Sequence, residues 1–151
     1  MTRWETAKYT DPLPDGTARQ FSFEMDAKSV ITAPAYPQAI VKGWWPVTGL
    51  AWSGRGKISR VEVSTDSGAS WRDAALQGPV LSKAHVRFTH QWQWDGRETT
   101  LLSRATDETG YVQPTRAALV KVRGSGTDYH FNPICGWRVR ADGHVFFHGA
   151  T

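Results

Sequence analysis

The stretch Thr48–Trp71, TGLAWSGRGKISRVEVSTDSGASW, decides the fold. It reads as a strand, a tight glycine turn, an alternating strand, and a second turn ending at a tryptophan. Gly54 and Gly56 flank Arg55, and are expected to supply the positive φ angles of a short reversal. From Arg60 to Ser64, polar Arg60, Glu62 and Ser64 alternate with apolar Val61 and Val63, the period of a half-buried strand. Asp66-Ser67-Gly68 closes the next hairpin and returns Trp71 to the core.

The same grammar extends outward. Trp44–Trp52 reads as a strand, with Pro46 marking an edge or bulge position, and Trp71–Leu76 as another. Phe88–Trp94 places Phe88, His90, Trp92 and Trp94 on one face. Asp95-Gly96 turns the chain into a strand over Thr99–Arg104, and Asp107–Thr115 forms a loop. Ala117–Val122 fits a short helix or a final strand. Turn signals every 8–12 residues, without a long helical period, predict an all-β antiparallel sandwich of about seven or more short strands. Trp52, Trp71, Val61, Val63 and Leu102 are expected in its core.

Composition narrows the classes. With 151 residues the chain suits one core, and 12% aromatic residues with eight tryptophans exclude intrinsic disorder. The formal charge of +4 is spread without a Lys/Arg run or a nucleic-acid motif, which argues against nucleic acid as partner. No apolar run approaches the ~20 residues of a membrane span. The polar start, MTRWETAKYTDP, lacks an export signal, so a chain made alone is expected in the cytoplasm. Cys135 is the sole cysteine, which excludes an internal disulfide, and it reads as a small buried hydrophobe. His85, His90, His130, His144 and His148 carry no metal-ligand spacing, so no metal site is expected. Six tryptophans, Trp44, Trp45, Trp52, Trp71, Trp92 and Trp94, lie in or beside predicted strands. That is more than one small core readily buries, and it points to an aromatic partner surface and a homodimer.

Three segments together carry a family likeness: GLAWSG at 49–54, RVEVSTDSGASW at 60–71 and DETGYVQPT at 107–115. Ser29-Val30-Ile31-Thr32 before Ala-Pro-Ala-Tyr-Pro adds a fourth. Over Trp4–Phe147 the chain resembles the C-terminal dimerisation domain of molybdenum sulfite oxidases. Within that family it most resembles the sulfane/sulfite dehydrogenase subunit of the bacterial sulfur-oxidation system. The resemblance implies an immunoglobulin-like (E-set type) sandwich over residues 25–151. Residues 1–24 would be the tail of an upstream molybdenum-cofactor domain and a linker.

The resemblance also implies site residues. The family's tail, resembling PIWNLRG, has an arginine three residues after a tryptophan. Pro133, Ile134, Trp137 and Arg140 match it, with Cys135-Gly136 inserted. That arginine binds the oxyanion substrate, a task its paired donors suit. Arg140 takes the role by spacing, with Arg138 as the neighbouring alternative. Trp4 and Tyr9 match the end of the family's cofactor domain, HWQRRDYKG, which makes Tyr9 a second pocket residue.

The expected function is that of a dimerisation and substrate-pocket module of a molybdenum-dependent sulfite or sulfane dehydrogenase. Molybdenum-molybdopterin and its cysteine ligand would belong to the upstream domain, leaving this chain alone without activity. By the same resemblance the complete enzyme is periplasmic and passes electrons to a c-type cytochrome. The alternative is an autonomous immunoglobulin-like binding or dimerisation module with no redox role.

Overall fold

The computed structural model describes residues 10–12, 15–20, 24–124 and 130–151. A two-stranded ribbon, β1 (Thr10–Pro12) with β2 (Ala18–Gln20), precedes the main body. That body is two antiparallel sheets. One has the order β3-β4-β8-β7, formed by β3 (Lys28–Ala33), β4 (Gly43–Trp52), β7 (Ala75–Gln77) and β8 (Val86–Trp94). The other has the order β11-β10-β9-β5-β6, with β5 (Ile58–Ser64), β6 (Arg72–Asp73), β9 (Thr99–Asp107), β10 (Cys135–Val139) and β11 (Val145–Ala150). This is the all-β, immunoglobulin-like sandwich expected from the alternation.

The core lies between the sheets. Val47 and Ala51 of β4, with Val86, Phe88, Trp92 and Trp94 of β8, meet Val61 and Val63 of β5 and Leu101 and Ala105 of β9. Burial of each such side chain contributes about 1.5–3 kcal/mol. Leu102 is buried, but on the opposite side of β9 from Leu101, against Gly68 of the β5–β6 hairpin.

Two core expectations are overturned. Trp52 pairs with Lys28 on the outer side of its sheet, because the even-numbered residues of β4 point away from Val47 and Ala51. Trp71 lies outside the second sheet, its ring under the Arg104 guanidinium at 4.3 Å. The predicted Trp71–Leu76 strand is also two pieces. β6 pairs with β5, and after Ala74 the chain changes sheets so that β7 pairs with β8.

The decisive glycine turn likewise links sheets rather than closing a hairpin, since β4 and β5 lie in different layers. Gly56 has the expected positive φ, 153°. Gly54 serves differently: a Cβ there would lie 2.6 Å from the Met25 nitrogen, so only glycine lets the two backbones touch. Pro46 sits on a central strand, yet β3 pairs only with Thr48–Trp52, so its missing N–H faces no neighbour.

Ala117–Val122 resolves as the helix α1 (Arg116–Arg123). Thr115 accepts the Ala118 N–H at its start, and Gly124 ends it with φ 84°. A buried polar staple joins β3 to the other sheet. The Gln113 side-chain oxygen accepts from Ser29 N (2.9 Å), Ser29 Oγ (2.8 Å) and Ala105 N (3.1 Å).

Candidate functional site

One end of the sandwich gathers charge where residues 24–28 enter it. Asp26 is 3% exposed, with Arg55 Nη2 at 2.8 Å from one carboxylate oxygen and Arg123 on the other. Arg55 comes from the link between sheets and Arg123 from the end of α1. The Arg55 guanidinium stands 5.6 Å over the Tyr111 ring, a favourable cation–π arrangement. Asn132 Nδ2 donates to the Tyr111 hydroxyl at 3.1 Å and to the Ala27 carbonyl at 3.0 Å. Burial raises the Tyr111 pKa, opposed by the Asn132 bond. The phenol therefore stays protonated at neutral pH. Among the described residues, Arg55 Nε is buried without an acceptor and Asn132 Oδ1 without a donor.

Beside this cluster, Asp107 organises the loop that carries Tyr111. Ser53 Oγ donates to it at 2.8 Å, Thr109 donates N–H at 3.0 Å and O–H at 2.5 Å, and Tyr111 N–H lies at 3.2 Å. Burial pushes its pKa up, but the bonds from Thr109, Ser53 and Tyr111 outweigh that and hold it below the usual carboxylate range.

The arginines singled out by spacing lie at the other end of β10, Arg138 within the strand and Arg140 just past it. Arg140 follows Val139 in the β10–β11 turn, half exposed, with its Nη2 3.5 Å from Asp142 and its guanidinium 5.8 Å from the Phe146 ring. Arg138 points to the same outer face and donates twice to Glu98 Oε1, at 3.0 and 2.6 Å. Both line an open groove of about 460 Å³ with Glu98, Phe146, Phe147 and His148. Trp137 turns the other way and donates its indole N–H to Ile31 O at 2.9 Å. Tyr9 and Trp4 lie outside the described residues.

Cys135 is half-buried rather than fully buried, and burial raises its pKa, keeping it a thiol. Among the described residues no three His, Cys, Asp or Glu side chains converge on a point that suits a metal ion. No described helix is long and apolar enough to cross a membrane.

The sequence analysis missed the Asp26–Arg55–Arg123–Tyr111 cluster. Its members are far apart in the chain, and only the GRG turn and the DETGY loop, quoted for other reasons, hinted at it.

Two packed antiparallel sheets in this strand order define an immunoglobulin-like domain. The model of the Mo-co oxidoreductase dimerisation domain matches residues 19–135, and the chain belongs to that family. It is 32% identical over 112 residues to mitochondrial sulfite oxidase of Rattus norvegicus, covering 67% of this chain and 20% of that protein. For the Homo sapiens mitochondrial sulfite oxidase the identity is 31% over 129 residues, 80% of this chain and 22% of the other. The NADH nitrate reductase of Cucurbita maxima is 31% identical over 111 residues, 62% of this chain and 12% of that one. Among solved structures, the sulfane dehydrogenase SoxCD from Paracoccus pantotrophus superposes with a TM-score of 0.89 at 52% identity. That match covers 97% of this chain and 38% of the SoxCD chain. The chain thus spans about a fifth of the length of the sulfite oxidases it matches.

Proposed function

We infer that this chain is the C-terminal dimerisation and substrate-pocket module of a molybdenum-dependent sulfane or sulfite dehydrogenase. Its redox chemistry resides in an upstream cofactor domain, of which residues 1–24 are the tail and linker, and residues 25–151 are the module. The observation that carries this reading is 52% identity over nearly the whole chain to a sulfane dehydrogenase of which it matches 38%. The complete enzyme acts in the periplasm as a homodimer and passes electrons to a c-type cytochrome. By itself the chain neither binds molybdenum nor oxidises sulfite. Metal analysis of the purified chain tests this, and stoichiometric molybdenum would overturn it.

In the complete enzyme, Arg140 binds the anionic substrate and Tyr9 orders the pocket. Arg140 is half exposed and held by one long ion pair, so its fork is available, whereas Arg138 is already committed to Glu98. Arg140→Met is expected to weaken substrate capture by about 10- to 150-fold, the worth of one charged hydrogen bond of roughly 1.5–3 kcal/mol. Arg138→Met should do much less. Unchanged steady-state kinetics in the Arg140 variant would refute the role. The unpartnered Nε of Arg55 favours a second reading, in which Arg55 takes the anion. A larger loss in Arg55→Met than in Arg140→Met would transfer the role.

A further inference from the structure

Three buried polar atoms around Asp26 have no hydrogen-bond partner among the described residues: Asp26 Oδ1, Arg55 Nε and Asn132 Oδ1. Asp26 is 3% exposed and Asn132 2%, so neither carboxylate nor amide is served by bulk solvent. Their orientations are fixed. Asp26 Oδ1 stands 2.8 Å from Arg55 Nη2, an ion pair out of line with the N–H bonds, while Arg123 holds Oδ2. Asn132 Nδ2 donates to the Ala27 carbonyl, which can only accept, so the amide cannot be flipped and Oδ1 must find a donor. The backbones at the roots of Asp26 and Arg55 are tied as well. Gly54 N–H donates to Met25 O at 2.7 Å, one residue before each, and Arg55 N–H donates to Ser53 Oγ at 3.1 Å.

We propose that this cluster is a built site for one ordered water, which accepts from Arg55 Nε and donates to Asp26 Oδ1 and Asn132 Oδ1. Arg55 Nε lies one guanidinium edge from Nη2, so about 5 Å at most separates it from Asp26 Oδ1. Two hydrogen bonds of about 2.8 Å each span that distance through a single oxygen. Asn132 joins the same group of contacts. Its Nδ2 bonds the residue next to Asp26, and the Tyr111 hydroxyl it also bonds belongs to the ring beneath Arg55.

The set of unspent groups selects the occupant. One donor and two acceptors call for a molecule that accepts once and donates twice, the usual complement of a buried water. An oxyanion has nothing to donate and would meet two acceptor oxygens, one of them a carboxylate. An ammonium ion has nothing with which to accept from Nε. Held in this way, the water joins the segment entering β3, the inter-sheet link and the segment after α1 beneath the Tyr111 loop. Arg55 then acts as a positioning residue whose Nε is engaged inside the protein, which sets this inference against the second reading above, where Arg55 takes the anion.

Water-selective nuclear Overhauser spectra of the 15N-labelled 151-residue chain provide the test. Arg55 Hε is expected to show laboratory-frame and rotating-frame effects of opposite sign to water, the signature of a bound molecule and not of proton exchange. A crystal structure grown without sulfate or phosphate should place one oxygen within hydrogen-bond distance of all three atoms. Asn132→Leu, which puts methyl groups where Oδ1 stands, should abolish the Arg55 Hε signal, and a signal that persists in it would overturn the three-way bridge. Titration of the wild-type chain with sodium sulfate should leave the Arg55 Hε shift and its water signal unchanged. A saturable shift with loss of that signal would overturn the water and hand Arg55 to the anion. Absence of both the signal and the oxygen in the wild-type chain would overturn the water while leaving the Arg140 reading untouched.

Discussion

The two outer faces of the sandwich are built from strands of similar length, yet they treat charge in opposite ways. On the β5–β9 side, Glu62 is nearly buried beneath a ladder of its own making. Arg104 grips both its oxygens at 2.7 and 3.0 Å, and Arg60 reaches it at 3.2 Å while also holding Asp73 at 2.6 Å. Arg104 in turn lies on Trp71. Glu62, Arg60, Arg104 and Asp73 are thus paired with one another within one chain. On the β4–β8 side, Thr89, Gln91 and Gln93 carry polar side chains that make no hydrogen bond with the described residues, beside an exposed indole. A face whose charges are internally matched suits water. One with unspent donors, acceptors and apolar area suits a partner.

The sharpest way to break this contrast is Arg104→Ala. It leaves the buried Glu62 carboxylate with Arg60 as its remaining cation and uncovers Trp71, and should lower unfolding free energy by about 1–3 kcal/mol in a urea titration. A loss below about 0.5 kcal/mol would show that the ladder is decoration on a solvated face.

Acid offers a second handle, on the loop behind the same sheet. Asp107 has a folded pKa below its ordinary value of 3.8. Its contribution is therefore complete above that value and disappears as pH falls through the lowered one. Urea midpoints measured from pH 6 down to 2 should fall more steeply for wild type than for Asp107→Asn. Parallel curves would remove Asp107 from the account of acid sensitivity.

The smallest expected effect lies on the other face. Gln91 is exposed and its side chain makes no hydrogen bond with the described residues, so Gln91→Ala should alter monomer stability by less than about 0.5 kcal/mol. A loss comparable to that of Arg104→Ala would erase the distinction between the faces.

Much of this architecture was legible in the chain. The alternation at Arg60–Ser64 and Phe88–Trp94 set those strands and their buried sides, because one side of each is polar. Trp44–Trp52 defeated the same reasoning. Apolar residues occupy both sides of that strand, so identity alone could not say that Trp52 faces out while Val47 faces in. The sheet change after Ala74 was equally hidden, since turn residues announce a bend but not its destination. At Ala117–Val122 the deciding signal was present in Thr115 and Gly124, which cap the helix, and was outweighed by the apolar run between them. The Asp26 cluster was beyond sequence reasoning, because no local spacing joins residues on a linker, an inter-sheet turn and a helix end. Arg140 was chosen by spacing to a tryptophan, and that spacing runs along a strand whose residues alternate between faces. It places Arg140 past the β10 end, without indicating what it meets there.

The Asp26 clamp has a mechanical meaning as well. Just before β3 the chain is gripped by Arg55, which rises from the bridge between the sheets, by Arg123, at the end of α1, and by the Gly54 N–H on Met25 O at 2.7 Å. A pull applied from the amino side meets these bonds before it reaches the β3–β4 ladder. Tension is divided between the inter-sheet bridge and the helix instead of unzipping one edge strand. The domain can therefore be tugged by whatever precedes it while its sheet register stays fixed.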